Sequence, residues 1–346
     1  MTVVDRPATI KDVAKAVGLS IATVSRAISH PHLLSKSTLA RVHAAVEELG
    51  YRPNVTAQNL KWNNTRLVVV VVPSLSPFFL DFFRGAEQGA RETGYSVLVG
   101  HTDRELAREA DFIDQVNSRR ADGLILVTSA DQQALLGQAR RLPPMILALD
   151  VTAGTDLPAV RVDHAAAAAQ ATEYLLGLGH RRIAHIAGAK ASAMTAHRLE
   201  GFQRALAERG VAFDPAFCAQ GAFTVDSGEQ AMERILSRGP PPTAVFAAND
   251  EMAVGAVRAL RRAGLSVPGD VSVLGFDDQR IAALYEPALT TVRIPTYEIG
   301  YRSMIELARS LAGKTVEADV ILPCQLVIRD SARALRADKP QPGAAQ

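Results

Sequence analysis

Seven short apolar runs, separated by amphipathic stretches, follow one another from Leu67 onward and restrict the possible folds most strongly. The first run, residues 67–73 (LVVVVVP), is rich in β-branched residues and too short for a buried helix. The other runs lie at 96–100, 123–127, 145–150, 183–188, 244–248 and 271–277. Apolar strands that alternate with helices are typical of parallel sheets buried on both faces. The pattern therefore predicts an α/β fold with doubly wound parallel sheets.

The amphipathic stretches between these runs predict the helices of the same fold. Examples lie at residues 82–93, 165–178, 194–209 and 252–263. Strand and helix alternate through two halves, 67–165 and 166–290, which indicates two lobes. A further strand around 318–328 is expected to return to one of the lobes. A two-lobed body is thus predicted at 67–331, and a loose tail rich in Ala, Pro and Gln at 332–346.

Composition limits the class of protein. With 346 residues, 48% of them hydrophobic, the chain can form two or three folding units with buried cores. No apolar run approaches the roughly 20 residues of a membrane-spanning helix, and the N-terminus lacks the apolar core of a secretory signal. The two cysteines, Cys218 and Cys324, suit a reducing compartment. We therefore expect a cytoplasmic protein without a membrane partner.

The first 50 residues contain short helical patterns and no strand pattern. Residues 9–29 (TIKDVAKAVGLSIATVSRAIS) have the spacing of a helix-turn-helix, with the small Ala14 where the two helices cross. Gly18 permits the positive φ of the tight turn, and Val24 faces back against the first helix. The second helix of such a motif lies in the DNA major groove. An ordinary helical hairpin has the same pattern, so the motif alone leaves both interpretations open.

The net charge of the N-terminal segment that contains this motif favours DNA as its partner. Residues 1–66 hold nine Lys or Arg against four Asp or Glu, a formal charge of +5 that leaves −3 for the remainder. A basic module on a mildly acidic body is typical of a polyanion-binding head, although a solvated basic face gives the same excess. The candidate DNA-contacting residues are Thr9, Ser20, Ile21, Ala22, Thr23, Ser25 and Arg26. Ile21 and Ala22 suit thymine methyl groups, and Arg26 suits guanine.

A third helix, predicted to begin at Ser35 or Ser37 and to end at Leu49, leads into residues 51–66 (YRPNVTAQNLKWNNTR). With this segment the chain resembles the LacI family of bacterial regulators, and the likeness covers essentially the whole sequence. In that family the segment is a hinge that becomes helical on operator DNA. The resemblance implies a DNA-binding head at 1–52, a hinge at 53–66, and a two-lobed core similar to periplasmic sugar-binding proteins.

The resemblance also assigns roles within the hinge. Leu60 takes the position that wedges into the central base step of the minor groove, and Lys61 lies beside it to engage that groove. Asn54 and Ala57 complete the predicted hinge contacts with double-stranded DNA. Leu60 as an ordinary core residue is the alternative. Because two hinges pair on a palindromic operator, a homodimer is expected.

Polar and aromatic residues follow several predicted strands, and open α/β sheets bind ligands at the carboxyl ends of their strands. The resemblance assigns the ligand-binding roles to Phe78, Phe79, Asp150, Arg198, Phe223, Asn249 and Asp277. The phenylalanines are placed against the ligand, Arg198 and Asp277 are hydrogen-bonded to it, and Asn249 and Asp150 line the cleft. Each has a structural alternative, because strand-end Asp and Asn often cap helices, an Arg can pair at the surface, and a Phe can belong to the core.

The effector class also follows from the resemblance. The stretches VVVVVPSLSPFF, RRADGLIL and CQLVIRDSARAL are most similar to those of a cytidine-responsive branch of the family, which implies a nucleoside. A pentose or another sugar is the alternative. Ile294 and Ser192 depart from the residues of purine binders and argue against guanine or hypoxanthine. Effector binding between the lobes is expected to alter hinge spacing, with induction and corepression both open.

Two other classes of protein are the alternatives to a regulator. An extracytoplasmic solute-binding protein of the same fold would need an export signal and would not need the head. An enzyme would be expected to carry a nucleophile elbow, a phosphate loop, a dinucleotide fingerprint or zinc spacing, none of which occurs. His180 and His185 are expected at the polar surface, and the pair Asp277-Asp278 is a weak magnesium pattern. We therefore predict a ligand-responsive DNA-binding repressor, not an enzyme, with no cofactor.

Overall fold

The computed structural model describes residues 8–29, 31–52, 64–127, 135, 137, 141–149, 151, 155–190 and 192–335. Its contacts divide the chain into two units, Met1–Thr65 and Arg66–Gln346. Among the described residues, no helix is both long and apolar enough to cross a membrane. Five residues with predicted roles lie outside the described residues: Asn54, Ala57, Leu60, Lys61 and Asp150.

The N-terminal unit contains three helices whose starts are capped by side chains. They are α1 (Ile10–Val17), α2 (Ile21–Ser29) and α3 (Lys36–Glu48). Before α1, the backbone N–H and the hydroxyl of Thr9 both donate to the Asp12 carboxylate, at 2.9 and 2.7 Å. Ser20 Oγ accepts the backbone N–H of Thr23 at 3.1 Å, and Ser35 caps α3. These contacts satisfy N–H groups that have no partner within their own helix.

A small apolar core joins the three helices of this unit. Val13, Val24 and Val42, one from each helix, are almost completely buried. Ala14 is buried as well, and Gly18 has a φ of 64° in the turn between α1 and α2. The predicted helix-turn-helix therefore forms, with the left-handed backbone that favours glycine at its turn.

The second unit is built on two parallel sheets. The strands of the first sheet are β1 (Leu67–Val72), β2 (Ser96–His101), β3 (Gly123–Leu126), β4 (Met145–Leu149), β5 (Ala159–Val162) and β11 (Asp319–Leu322), in the order β11-β5-β4-β3-β1-β2. Those of the second are β6 (Ile183–Ala187), β7 (Cys218–Gln220), β8 (Ala244–Ala247) and β9 (Ser272–Leu274), in the order β7-β6-β8-β9. All neighbouring strands in both sheets are parallel. The predicted two-lobed α/β class is thus confirmed.

The helices of this unit pack in pairs, and two further strands form a small separate sheet. The helices are α4 (Leu80–Thr93), α5 (Leu106–Asn117), α6 (His164–Gly177), α7 (Ala193–Glu208), α8 (Val225–Leu236), α9 (Asp250–Arg262), α10 (Arg280–Leu284) and α11 (Thr296–Leu311). Helix α4 packs on α11, α6 on α7, and α8 on α9. Strands β10 (Thr291–Arg293) and β12 (Gln325–Val327) form an antiparallel pair. The expected returning strand is therefore divided, because β11 joins the first sheet and β12 pairs with β10.

Several elements differ from the sequence predictions for physical reasons. The run expected at 271–277 shortens to β9, which ends at Leu274, and Asp277 and Asp278 beyond it have φ values of 103° and 53°, outside the extended conformation. Strands β5 and β7 were not predicted, since they are only four and three residues long and include polar side chains. Helices α5, α8 and α11 were also missed. They lie between or after the predicted strands and do not change the class of fold.

Candidate functional site

The exposed face of α2 carries the residues predicted to contact DNA. Ile21, Ala22 and Arg26 are exposed, and Thr23 and Ser25 are half-buried. Positions 21, 22, 25 and 26 recur at one-turn spacing, so their side chains share one side of the helix. The opposite side is packed into the core of the three helices. The helix thus has one apolar buried face and one free face of the kind that enters a groove.

Thr9 and Ser20, the two remaining candidates in the head, already have structural roles. The Thr9 hydroxyl donates to Asp12, and Ser20 Oγ lies 2.8 Å from the hydroxyl of Thr23. These contacts fix the first turns of α1 and α2. Any contact of these two side chains with DNA therefore stays a prediction.

A cavity of about 400 Å³ lies between the two lobes of the second unit. The first lobe contributes residues that follow β1, together with Arg104 after β2. The second contributes residues from α7 and from the ends of β7, β8 and β9. The lining residues include Phe78, Phe79, Arg104, Ser192, Met194, Arg198, Phe223, Thr224, Asn249, Glu251, Asp277 and Gln279. The structure thus brings together the six described candidates for ligand binding at the carboxyl ends of the strands.

Arg198 is the most buried charged residue of this cleft, with 1% of its surface exposed. Its Nη2–H donates to Asp277 Oδ1 at 3.1 Å, and Nη1–H donates to the carbonyl oxygen of Ala248. Nε–H donates to His164 Nδ1 at 3.4 Å, and the guanidinium lies 3.9 Å from the centre of the Phe276 ring. These contacts hold the guanidinium in one place. Arg198 lies in the second turn of α7, within the helix that the sequence predicts at 194–209.

Asp277 is held in the wall of the cleft by its backbone as well as by Arg198. Its N–H donates to the carbonyl oxygen of Val292 at 2.8 Å, and its φ of 103° turns the chain out of β9. Burial raises the pKa of the Asp277 carboxyl to about 6, because desolvation outweighs the opposing effects of Arg198 and of the Gln279 side chain. The carboxylate is therefore held by Arg198 in a site that disfavours its charge.

The neighbouring Asp278 has a different set of partners. Its two carboxylate oxygens pair with Arg293 Nε and Arg329 Nη2, at 2.7 and 2.6 Å. Since Asp277 pairs with Arg198, both carboxylates of the predicted weak magnesium pattern are occupied by cationic side chains. The arrangement orders the loop after β9 and offers no free acidic pair there.

Asn249 and Phe223 support each other across two loops of the second lobe. Asn249 Oδ1 accepts the backbone N–H of Met252 at the start of α9, and its Nδ2 donates to the carbonyl oxygen of Phe223 at 3.2 Å. Phe223 has a φ of 65°, and its ring faces the guanidinium of Arg104 from the first lobe at 5.9 Å. Asn249 thus caps a helix, as its structural alternative predicted, and also lines the cleft.

The two phenylalanines after β1 divide between the core and the cleft. Phe79 is buried in the main apolar core, and Phe78 is half-buried. Their rings meet edge to face, with centres 5.0 Å apart. Phe78 therefore offers the larger apolar surface to the cavity, and Phe79 supports it from beneath.

Sequence reasoning missed several residues that line the cleft, above all Glu251, Gln279, Arg104 and Met194. Glu251 lies two residues after Asn249, and that proximity to a predicted site residue is the only sequence signal that pointed to it. Its pKa is raised because burial disfavours the charged form. Asp250, between Asn249 and Glu251, is instead buried away from the cavity and accepts the Thr291 hydroxyl and the Gln279 N–H.

The prediction that His180 and His185 lie at the polar surface is wrong. Both are almost completely buried. His185 hydrogen-bonds through Nδ1 to the carbonyl oxygen of Phe246 at 3.0 Å and stacks on Phe202. Burial lowers the pKa of His185 to about 4, since the charged imidazolium is disfavoured there. His185 belongs to the core of the second lobe and does not line the cleft.

Comparison with known proteins covers both units. The profile described as "Bacterial regulatory proteins, lacI family" matches residues 9–54, and "Periplasmic binding protein-like domain" matches residues 172–332. The transcriptional repressor CytR of Escherichia coli K12 is 40% identical over 95% of this chain and 97% of its own length.

Two solved structures are similar over nearly the whole chain. One is the Lac repressor dimer bound to operator and an anti-inducer, with a TM-score of 0.86, 31% identity, and coverage of 95% of this chain and 100% of that one. The other is the transcriptional regulator CelR in complex with cellobiose, with a TM-score of 0.71, 30% identity, and coverage of 94% and 100%. These names confirm the expected class, a regulator and not an enzyme.

Proposed function

Because the chain belongs to the LacI family of bacterial regulatory proteins, we propose that it is a transcriptional repressor whose affinity for operator DNA is switched by a small polar effector. The cleft is the observation that carries this proposal. Residues of both lobes line a single cavity, so a ligand bound there contacts both and favours one arrangement of them. In this proposal the cytoplasmic repressor consists of a DNA-binding head at 1–52, a hinge at 53–66 and a ligand-binding body at 67–331.

The proposed effector is a nucleoside. The cavity combines an aromatic ring at Phe223 with the Arg198–Asp277 pair, a combination suited to a flat ring with polar edges. The likeness to CytR at 40% identity supports the same class. The likeness to CelR, whose structure contains cellobiose, supports a sugar as the second candidate.

The proposed DNA contacts are the exposed residues of α2 together with Thr9 and Ser20. Arg26 is the strongest base-reading candidate among them, because a guanidinium binds guanine in bidentate fashion. The hinge residues Asn54, Ala57, Leu60 and Lys61 complete the proposed contacts in the minor groove, and they lie outside the described residues. Asp150, which also lies outside them, stays a proposed ligand contact.

The proposed active form is a homodimer on a palindromic operator. Strand β2 lies at the edge of the first sheet, and its Leu98 and Val99 are 50% and 48% exposed. An exposed apolar edge strand is prone to pair with another chain unless it is covered. The related Lac repressor is a dimer in its operator complex, which supports the same assembly here.

The test combines ligand binding with DNA binding. A thermal-shift panel of cytidine, uridine, adenosine, ribose and several hexoses identifies the effector, since a ligand at 100 times its Kd adds about 2.7 kcal/mol of stability. Operator DNA is selected from a random-sequence library, and its affinity is measured by fluorescence anisotropy with and without that ligand. A change in operator affinity is expected. Operator binding that ignores every stabilising ligand would contradict the proposal.

A matched pair of variants tests the role of α2. Arg26→Ala is expected to lose about 1–3 kcal/mol of specific binding and to relax sequence preference at one base pair. Lys15→Ala removes the same charge from an exposed position of α1. It should lower only the salt-dependent, sequence-independent part of binding. Equal losses of sequence preference in the two variants would argue against readout by α2.

A further inference from the structure

Two polar side chains on the second-lobe wall of the cleft have no partner in the part of the chain that the structure describes. Ser192 Oγ is buried without a hydrogen bond, in a residue that is 4% exposed. Glu251, half-buried in the first turn of α9, makes no hydrogen bond or ion pair with a described residue. Both residues line the cavity between the lobes.

The residues first expected to bind the effector are, by contrast, already engaged. Arg198 donates to His164, Ala248 and Asp277, and Asn249 uses both ends of its amide. A buried hydroxyl without a partner has lost its hydration and has gained no bond in return. A molecule bound in the cavity can therefore supply the partner that Ser192 and Glu251 lack among the described residues.

We propose that Ser192 and Glu251 determine the specificity of the cleft by hydrogen-bonding a donor-bearing edge of the effector. The inference rests on the proposed function, because it takes the cavity to be the effector site. An ionised carboxylate only accepts hydrogen bonds, whereas a serine hydroxyl both donates and accepts. The effector must therefore present N–H or O–H groups to this wall.

Two parts of a nucleoside carry such groups. One is the amino edge of a cytosine-type base, and the other is the pair of vicinal hydroxyls of the pentose. The unpaired carboxylate of Glu251 also repels anions, so this wall disfavours a phosphate or carboxylate on the ligand. Both groups are neutral and carry adjacent hydrogen-bond donors. Ligands that lack the amino group or one of the hydroxyls show which of the two contacts this wall.

Isothermal titration calorimetry of the full chain with cytidine, uridine, 2′-deoxycytidine and ribose tests the proposal. Glu251→Gln is expected to weaken the best-binding compound by about tenfold or more, since hydrogen bonds to a charged group are among the strongest. Glu208→Gln, an exposed glutamate at the end of α7 in the same lobe, is the matched control. It should leave every affinity unchanged.

The ligand series then locates the donor edge. If Glu251 receives the amino group, uridine binds weakly to the wild type and is insensitive to Glu251→Gln. If Glu251 instead accepts hydrogen bonds from the hydroxyls, the affinity for 2′-deoxycytidine is low and does not change in Glu251→Gln. The affinity for ribose then still falls on that substitution. Either result supports the proposal and assigns the source.

Ser192→Ala provides a readout that a structural role would not produce. Removing an unpaired buried hydroxyl should leave the Tm of the free protein unchanged or raise it, while the effector binds more weakly. A fall in Tm that accompanies the loss of affinity would overturn the assignment. Unchanged affinities in both variants, or no binding by any of the four compounds, would overturn it as well.

A separate measurement, operator binding, tests the proposed function on its own. Operator binding of the wild type without effector is measured on the same preparation by fluorescence anisotropy. A wild type that binds the compounds but no operator would reject the repressor function and leave the result for Ser192 and Glu251 standing. A wild type that binds operator but none of the compounds would reject only the inference drawn from the cleft.

Discussion

Asp277 shows how the backbone places a charged group where the sequence pattern alone could only suggest it. The pattern GFDD after an apolar run predicts polar side chains at the end of a strand. The φ of 103° at Asp277 turns its carboxylate toward Arg198, which reaches it from α7, 79 positions earlier in the chain. Sequence reasoning found both residues but not their mutual hydrogen bond, because that bond depends on the packing of two distant elements.

A double-mutant cycle measures this pair. Arg198→Met leaves the Asp277 carboxylate buried and unpaired and is expected to cost about 3–5 kcal/mol of unfolding free energy. Combining it with Asp277→Asn should cost less than the sum of the two single changes, because the neutral amide tolerates burial without a cation. Urea unfolding of the four proteins supplies the coupling energy. Strict additivity would show that the two side chains do not stabilise each other.

His185 makes stability depend on pH. Its pKa is about 4 in the folded chain against 6.5 for an unburied histidine, so the unfolded state binds more protons below pH 6.5. Stability is therefore full above pH 6.5 and is lost as the pH falls toward 4. By pH 5 the loss is about 2 kcal/mol. Urea unfolding at pH 7 and pH 5 measures it.

The control for this pH dependence is the variant His185→Gln, in which position 185 no longer titrates. Asp277 acts in the opposite direction, since its raised pKa of about 6 adds stability as the pH falls. Both proteins contain Asp277, so its contribution cancels when their free energies of unfolding are compared. Identical losses between pH 7 and pH 5 in the two proteins would show that His185 is not the responsible group.

At the scale of elements, the packing of helices depends on close approaches that a sequence pattern does not specify. Helices α4 and α11 cross so closely that a Cβ at Gly85 would lie 1.9 Å from the carbonyl oxygen of Tyr297. The long apolar strands, β1 above all, were predicted because β-branched runs bounded by turns are distinctive. Helix α11 was missed although its apolar residues recur at helical spacing, and β7 was missed because three residues, one of them polar, give no strand pattern.

Gly85→Ala is expected to force α4 and α11 apart and to cost about 1–3 kcal/mol of stability. Gly177→Ala is the matched control, since Gly177 ends α6 with open space around its Cα and without a positive φ. That change should be neutral or stabilise by up to about 1 kcal/mol. Thermal unfolding followed by circular dichroism compares the two. Equal Tm values for both variants would contradict the close packing at Gly85.

At the scale of the whole molecule, the order of the elements made the class of fold predictable. Two runs of alternating strands and helices dictate two doubly wound sheets, and ligands bind at the carboxyl ends of such strands. Phe78 and Phe79 of the first lobe were predicted from the resemblance, whereas Arg104 of the same lobe was not. Its place beside the cavity depends on how the two lobes face each other, and a sequence pattern does not record that.

The assembly can be tested at the two edges of the first sheet. Strand β11 forms one edge and carries the Arg161–Asp319 ion pair, a charged protection typical of exposed edges. Strand β2 forms the other and exposes Leu98 and Val99, with no charged side chain beside them within the strand before His101. The proposed dimer therefore uses the β2 edge.

Leu98→Lys places a charge on that edge and is expected to convert the protein from a dimer to a monomer of 37.0 kDa. Ile321→Lys, at a residue 51% exposed on β11, adds the same charge to the opposite edge and should leave the dimer intact. Light scattering after size exclusion gives the masses, and anisotropy gives operator affinity. Because a palindromic operator binds two heads together, the Leu98→Lys monomer should also bind it far more weakly. A Leu98→Lys protein that stays dimeric would show that the interface does not lie at β2.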